Sequence, residues 1–196
     1  NTNKPLHLGH VRNIFLGAAL SEIMDFAGFE VTRANLINDR GIHICKSMVA
    51  YRRLGSGENP ENSRMKGDHL VGKYYVKFNE LFTKEVDELC SAGLSKEEAS
   101  EKAPVLLEAR KMLQDWEKGD PEVLALWNTM NGWVYAGFEE SYRRMGIQFD
   151  QYYYESQTYL LGKDMVQEGL SSGVFYQKED GSVWVDLTGD GLDEKL

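Results

Sequence analysis

The residues best suited to chemistry lie at the start of the chain, in Lys4-Pro5-Leu6-His7-Leu8-Gly9-His10. His7 and His10 are three positions apart, so both imidazoles can offer N–H donors to one anion. The apolar-periodic segment that follows predicts a helix, whose first backbone N–H groups and positive dipole end also favour an anion. Gly9 lacks a Cβ, which lets a bulky ligand approach the backbone. The pattern predicts a phosphate site, where each donor is worth about 10²–10³ in rate if negative charge develops.

Two other interpretations of the histidine pair stay open on the residues alone. Both side chains can be ordinary residues of a surface loop. A zinc pair is the second alternative, but its further ligands would be scattered and would form no compact Cys/His pattern. These candidate ligands are His43, His69, Cys45 and Cys90.

The elements around this stretch predict an α/β fold. The predicted order is a helix over 11–27, a strand over 30–38, a turn over 38–41 and a helix over Ile42–Leu54. A glycine follows each helix, as is common at helix ends. This order is typical of one part of a doubly wound parallel sheet, where ligands bind at the carboxyl ends of the strands.

The middle of the chain predicts packed helices. Residues 55–67 are polar and turn-rich and predict a loop. Asp68 is a candidate N-cap for the next helix, and Ser95-x-x-Glu98 is a capping-box pattern for another. Asp120-Pro121 fits the N-cap and first position of a third helix, which continues to Gly146. Aromatic residues recur there at three- and four-residue steps, which indicates packing between helices and no cofactor site.

Strand character returns at Ile147–Tyr154, and a short helix is predicted at about 160–171. Two apolar segments, 174–177 and 182–186, then flank Lys178-Glu179-Asp180-Gly181. Turn residues between two such segments predict a β-hairpin.

Composition limits the class of protein. The chain has 196 residues, of which 42% are hydrophobic and 27% charged, as in a globular domain with a core. Its net charge of −9 counts against nucleic-acid binding by this chain alone. No apolar run approaches the ~20 residues that span a bilayer. The sequence starts at Asn1 without a signal-peptide pattern, and two isolated cysteines fit reduced thiols, so we expect a piece of a longer cytoplasmic protein.

His7-Leu8-Gly9-His10 resembles the His-x-Gly-His signature of the class I aminoacyl-tRNA synthetases, which related nucleotidyltransferases share. Asn1-Thr2-Asn3-Lys4-Pro5 resembles the arginyl-tRNA synthetase pattern Asn-x-x-Lys-(Pro). Residues 30–41 resemble that family's second strand and its Gly-Asp-Trp-Gly turn. The similarity is sharp over 1–48 and looser over about 130–196, and it implies a Rossmann-like catalytic domain with a helical insertion. The implied parts are 1–55, the first part of the catalytic domain; 56–146, a helical insertion; and 147–196, a strand–helix–hairpin continuation.

The resemblance implies an arginine–tRNA ligase that activates L-arginine with ATP and transfers it to the 3′ end of tRNA(Arg) in protein biosynthesis. Neither step needs a protein nucleophile, so alignment and charge stabilisation suffice. Mg²⁺ is expected with ATP, although no cluster in the sequence forms a dedicated metal site. The resemblance also implies a monomer at full length, with tRNA contacts mostly in domains absent from this chain.

The resemblance assigns His7 and His10 to the ATP phosphates in the transition state and puts Gly9 beneath the nucleotide. Lys4 matches a lysine just upstream of the signature in many arginyl enzymes. As a flexible point charge, Lys4 suits neutralisation of pyrophosphate. Asn1 is assigned to the α-amino and carboxylate groups of the amino acid.

Three further residues are assigned to the substrate. Glu30 and Asn35 align with substrate-pocket residues, and a carboxylate suits the guanidinium because the pair is bidentate and directional. Asp39 lies in the turn at the end of the strand, where a site residue is expected. The structural alternatives are an exposed strand-start residue for Glu30 and a turn-forming aspartate for Asp39.

The sequence departs from the family pattern in places. Asn38-Asp39-Arg40-Gly41 replaces the commoner Gly-Asp-Trp-Gly, His43 stands where glutamine is frequent, and no Lys-Met-Ser-Lys-Ser-like signature occurs. We therefore expect little or no aminoacylation by this chain alone. One alternative is another His-x-Gly-His nucleotidyltransferase, which would carry its second signature in a compact chain. The other is a non-catalytic synthetase-like binding module, against which the intact histidine pair and Lys4 weigh.

Overall fold

The computed structural model describes residues 1–178 and 181–188, and it confirms the predicted α/β class with a parallel sheet. The helices in these ranges are α1 Leu8–Phe26, α2 Ile42–Leu54, α3 Pro60–Ser63, α4 Gly67–Ser91, α5 Lys96–Lys102, α6 Pro104–Glu117, α7 Pro121–Met145, α8 Glu155–Thr158 and α9 Leu161–Ser171. The strands are β1 Ala34–Ile37, β2 Gln151–Tyr154, β3 Phe175–Gln177 and β4 Val183–Val185.

The chain divides into two compact units, Asn1–Tyr153 and Tyr154–Leu196. The first unit contains the predicted nucleotide site and all of the helices from α1 to α7. The division into 1–55, 56–146 and 147–196 follows family organisation rather than compactness, and it stays a prediction.

Helix α1 ends where the sequence predicts. The N–H of Gly28 donates to Asp25 O, that of Phe29 donates to Met24 O, and Gly28 has a φ of 88°. A left-handed residue at this point closes the helix, and glycine adopts that conformation without steric cost. The apolar stripe of α1 is not a core face, however: none of its residues is buried, and Phe26 is 96% exposed.

The sheet of the first unit pairs β1 with β2. Both strands are shorter than their predicted ranges of 30–38 and 147–154, because strand geometry needs a hydrogen-bonded neighbour as well as suitable side chains. The segment before α1 runs beside the end of β1, where the N–H of Thr2 donates to Asn38 O over 3.0 Å. This contact brings the loop of the histidine motif to the carboxyl end of β1.

The core of the first unit lies among α2, α4, α6 and α7. Most of the largest fully buried side chains are apolar and come from these four helices; they include Met48, Leu70, Phe78, Met112 and Met130. Glycines allow close approach between elements, as at Gly137 and Gly72. A Cβ on Gly137 would lie 2.5 Å from Asp68 Oδ1, and one on Gly72 would lie 2.8 Å from Pro5 Cδ. The second contact seats the loop before α1 directly on α4.

Two predicted helix starts are confirmed and one is wrong. Ser95 and Glu98 form the reciprocal capping box of α5, and Asp120 caps α7 through two backbone N–H groups. Asp68 does not cap α4, whose N-cap is Lys66. Asp68 is instead buried, and its carboxylate pairs with the Lys66 ammonium at 3.1 Å. The predicted loop 55–67 also contains the short helix α3.

The second unit contains the predicted hairpin. Strands β3 and β4 are antiparallel, with Tyr176 opposite Trp184. Two residues of the predicted turn, 179 and 180, lie outside the described residues. The helix predicted at 160–171 is confirmed as α9, and the short α8 precedes it.

Candidate active site at the start of helix α1

The histidine pair is held by the first turn of α1. His7 is the N-cap, and its Nδ1 accepts the N–H of Gly9 at 3.1 Å. His10 Nδ1 accepts the N–H of His7 at 3.2 Å. A neutral imidazole whose Nδ1 accepts must carry its proton on Nε2. The backbone therefore fixes one tautomer in both rings and leaves two Nε2–H donors for a ligand.

The two rings also lie against each other, with centroids 3.8 Å apart and planes tilted by 37°. His7 is exposed and His10 is half-buried. Burial lowers the pKa of His10, and the nearby His7 and Lys4 lower it further. His10 is therefore neutral at pH 7 and acts there as an N–H donor rather than as a cation.

Gly9 serves this arrangement directly. A Cβ at Gly9 would lie 3.1 Å from Cε1 and 3.2 Å from Nδ1 of the His7 ring. These separations are tight, so a side chain would press the imidazole away from its N-cap position. Glycine at this position lets the His7 ring fold back over the helix start. Its predicted place beneath a nucleotide stays a prediction.

A small cleft of about 170 Å³ opens beside His10, between the loop before α1, β1 and α7. It brings together four residues singled out from the sequence: Asn1, Lys4, His10 and Asn35. The remaining lining comes from Leu6, Asn13, Ile14, Leu36, Ile37, Phe138 and Tyr142. The cleft thus combines a cation, an imidazole donor and amide groups with apolar walls, as is common in small-molecule sites.

Tyr142 is a site residue that the sequence did not reveal. Asn35 Nδ2 donates to its hydroxyl over 3.1 Å, which orients the amide beside the cleft. Burial raises the pKa of Tyr142, so this hydroxyl stays protonated. Phe138 lies one turn earlier on α7 and also lines the cleft. Both fall in the aromatic repeat that predicts helix packing, so spacing alone gave no signal of a site.

Two predicted substrate residues do not line this cleft in the part of the chain that the structure describes. Glu30 is exposed in the segment between α1 and β1. Asp39 is 1% exposed, and its Oδ2 accepts the hydroxyl of Tyr135 at 2.8 Å. Its backbone carbonyl accepts from Trp127 Nε1 and Asn131 Nδ2. The geometry gives Asp39 a role in holding the turn against α7, and the substrate roles of both residues stay predictions.

Over residues 1–178 and 181–188, no group of three or more His, Cys, Asp or Glu is placed to hold a metal ion. Cys45 is buried, Cys90 is half-buried, and both are free thiols. Burial raises the pKa of Cys45 to about 12. No helix in the described ranges is long and apolar enough to cross a membrane.

A pair of imidazoles at a helix start, beside the end of a strand of a parallel sheet, is an arrangement typical of α/β proteins that bind nucleotides. Sequence comparison is more specific: the family model for "tRNA synthetases class I (R), catalytic domain" matches residues 1–194. The chain therefore belongs to the class I tRNA synthetase (R) catalytic-domain family, which confirms the resemblance seen in its motifs.

Individual relatives agree with this assignment. The chain is 62% identical over its whole length to the arginine–tRNA ligases of Amoebophilus asiaticus and Bacteroides fragilis, and it covers 33% of each. Among solved structures, arginyl-tRNA synthetase from Thermus thermophilus matches with a TM-score of 0.57 and 20% identity, covering 99% of this chain and 30% of that one. The chain thus spans about a third of the length of the curated relatives it matches.

Proposed function

We propose that the protein containing this chain activates L-arginine with ATP and transfers the arginyl group to the 3′ end of tRNA(Arg). The observation that carries this proposal is the pair of Nε2–H donors that the start of α1 fixes beside the cleft. The family membership and the identity to named arginine–tRNA ligases support the choice of substrates.

In the first step the arginine carboxylate attacks the α-phosphorus of ATP, and the bond to pyrophosphate breaks. Negative charge is then spread over phosphate oxygens. His7 and His10 donate N–H groups to these oxygens, and fixed donors of this kind need no reorganisation as the charge develops. The Lys4 ammonium neutralises the leaving pyrophosphate, and the dipole of α1 adds to the same field.

The amino acid occupies the cleft beside His10. Asn1 binds its α-amino and carboxylate groups, and Asn35 is held for substrate contact by Tyr142. In the second step the ribose hydroxyl of the tRNA terminus attacks the arginyl carbonyl and AMP leaves. The guanidinium contact assigned to Glu30 and the substrate contact assigned to Asp39 remain parts of this proposal.

In this proposal Mg²⁺ is bound by ATP and not by side chains of the protein. Magnesium prefers oxygen ligands, chiefly carboxylates and phosphates. The cleft is lined by nitrogen donors and amides, and the Asp39 carboxylate is buried against Tyr135. The described residues therefore do not fit a protein-held magnesium site. A cytoplasmic location is proposed because two free thiols suit a reducing compartment.

Substitution of His10 tests the proposal in the intact protein. We expect His10→Ala to lower kcat for arginine-dependent aminoacylation about 10²–10³-fold while the KM for ATP changes far less, because the lost donor acts mainly in the transition state. His69→Ala is the matched control, since His69 is exposed on α4 outside the cleft. Equal losses in both variants, or charging with another amino acid in preference to arginine, would contradict the proposal.

A further inference from the structure

A second group of polar side chains continues from the histidine site along the contact between α2 and α4. His43 Nδ1 lies 3.1 Å from the hydroxyl of Tyr75, with ring centroids 6.0 Å apart. One helical turn further on, the Lys46 ammonium lies 5.6 Å from the centroid of the Phe78 ring. The two contacts join the same two helices and lie three residues apart on each. Both place polar groups along one edge of the contact between α2 and α4.

These two contacts lie next to the loop that carries the histidine motif. That loop rests on α4, because Gly72 leaves room for Lys4 and Pro5. Tyr75 is three residues after Gly72 and so lies on the same face of α4. Lys4, the cation of the proposed ATP site, thus stands at the inner end of the row that His43 and Lys46 continue.

The electrostatics of this row favour an anion. Burial lowers the pKa of His43, and the charges of Lys46 and Lys4 lower it further. Burial also lowers the pKa of Lys46, with a contribution from the Arg110 guanidinium. Within the described ranges no carboxylate lies within ion-pair distance of Lys4 or Lys46, although the chain carries a net charge of −9. Arg110 is paired with Glu101 at 2.7 Å, so the local positive potential comes from Lys4 and Lys46.

His43 is suited to a phosphate even when neutral. If the Tyr75 hydroxyl donates to Nδ1, the ring proton lies on Nε2, and His43 is exposed. The row then offers an imidazole N–H and an ammonium from residues three apart on α2, whose backbone positions differ by about 4.5 Å along the axis. The two donors extend along α2 away from Lys4, so the row suits successive phosphates of a chain rather than a single phosphate.

We propose that this row binds the sugar–phosphate backbone of the tRNA 3′ end as it enters the active site. We call this row, which consists of His43, Lys46 and Tyr75, the phosphate-binding strip. The inference rests on the proposed function, which supplies the tRNA. Tyr75 acts as a positioning residue that holds the His43 ring, while His43 and Lys46 contact phosphate.

The test uses the intact protein that contains this chain and measures the Kd for tRNA(Arg) over a series of salt concentrations, together with the KM for ATP. We expect Lys46→Met to weaken tRNA binding about threefold to tenfold. The slope of log Kd against log salt should shrink by about 0.7, the change for one phosphate contact on a single strand. The KM for ATP should stay unchanged. Methionine keeps an unbranched side chain over Phe78, so the packing there is retained.

Two variants of His43 give a second test. His43→Gln keeps an N–H donor and should bind tRNA nearly as well as the wild type. His43→Ala removes the donor and should bind tRNA more weakly.

Lys84→Met is the matched control, because it removes one exposed charge from α4 away from the strip. The strip is refuted if Lys46→Met and His43→Ala behave like this control. The proposal is also refuted if the KM for ATP rises while tRNA binding is unchanged. His43 and Lys46 would then bind a phosphate of ATP and not one of tRNA. If the wild-type protein fails to charge tRNA with arginine, the proposed function fails, whereas tRNA binding that depends on Lys46 would show the strip separately.

Discussion

At the scale of single residues, the backbone decides what the two motif histidines can do. Each Nδ1 accepts a main-chain N–H from the start of α1, and each ring is left with an Nε2–H donor. A histidine without such a partner exchanges between tautomers, and half of its orientations would present a lone pair to an anion. The helix start therefore serves twice, as a source of positive potential and as the element that fixes the donors.

Asp39 gives a prediction at the same scale. Asp39→Ala removes the acceptor of the Tyr135 hydroxyl in a buried place, so we expect the free energy of unfolding to fall by about 1–3 kcal/mol. Urea unfolding measures this change. Glu30→Ala is the control, because an exposed residue is expected to change stability by less than about 0.5 kcal/mol. A raised KM for arginine in Asp39→Ala with unchanged stability would instead support direct substrate contact.

At the scale of elements, helices of similar apolar content have different roles. Helix α4 buries Phe78 and neighbouring apolar residues against α2 and α7, whereas α1 has no buried residue in the described structure. Arg33, the residue before β1, contacts Glu22 and Asp25 of α1 through its guanidinium. The neighbouring Asp25 carboxylate raises the pKa of Arg33, which keeps its charge fixed. The site therefore sits on a helix held by polar contacts beside a rigid helical core.

This contrast predicts the stability of two variants on one helix. Phe78→Ala should lower the free energy of unfolding by about 3–5 kcal/mol, because it removes a fully buried ring and leaves a cavity. Val76→Ala should change it by less than about 0.5 kcal/mol, since Val76 is 56% exposed. Thermal or urea unfolding of both variants checks the prediction. Equal losses would show that α4 is not packed as described.

At the scale of the whole molecule, the chain corresponds to one part of the relatives that it matches. It carries the histidine signature, covers about a third of the relatives it matches, and contains no Lys-Met-Ser-Lys-Ser-like second signature. Its charge of −9 also offers little general attraction to RNA. The cleft of about 170 Å³ beside His10, in which we place the amino acid, is one part of the proposed site.

We therefore predict that residues 1–196 alone show little or no aminoacylation. Alignment of ATP, arginine and the tRNA terminus supplies most of the rate, and it needs contacts from several directions. Charging of tRNA(Arg) by this chain and by the intact protein, at equal concentrations, measures the difference. Circular dichroism of the isolated chain is the control for folding. Turnover by the chain near that of the intact protein would contradict the prediction.

The sequence alone determined the features that depend on neighbouring residues. Gly28 ends α1, Ser95 and Glu98 start α5, and the spacing of His7 and His10 indicates an anion site, because caps and short motifs act within one or two helical turns. Only the tertiary structure decided which distant residues meet. Asn35 meets Tyr142 and His43 meets Tyr75 through helix packing, and Asp39 is buried although its turn sequence favours exposure. These contacts arise from close packing between elements far apart in the chain, which local spacing does not encode.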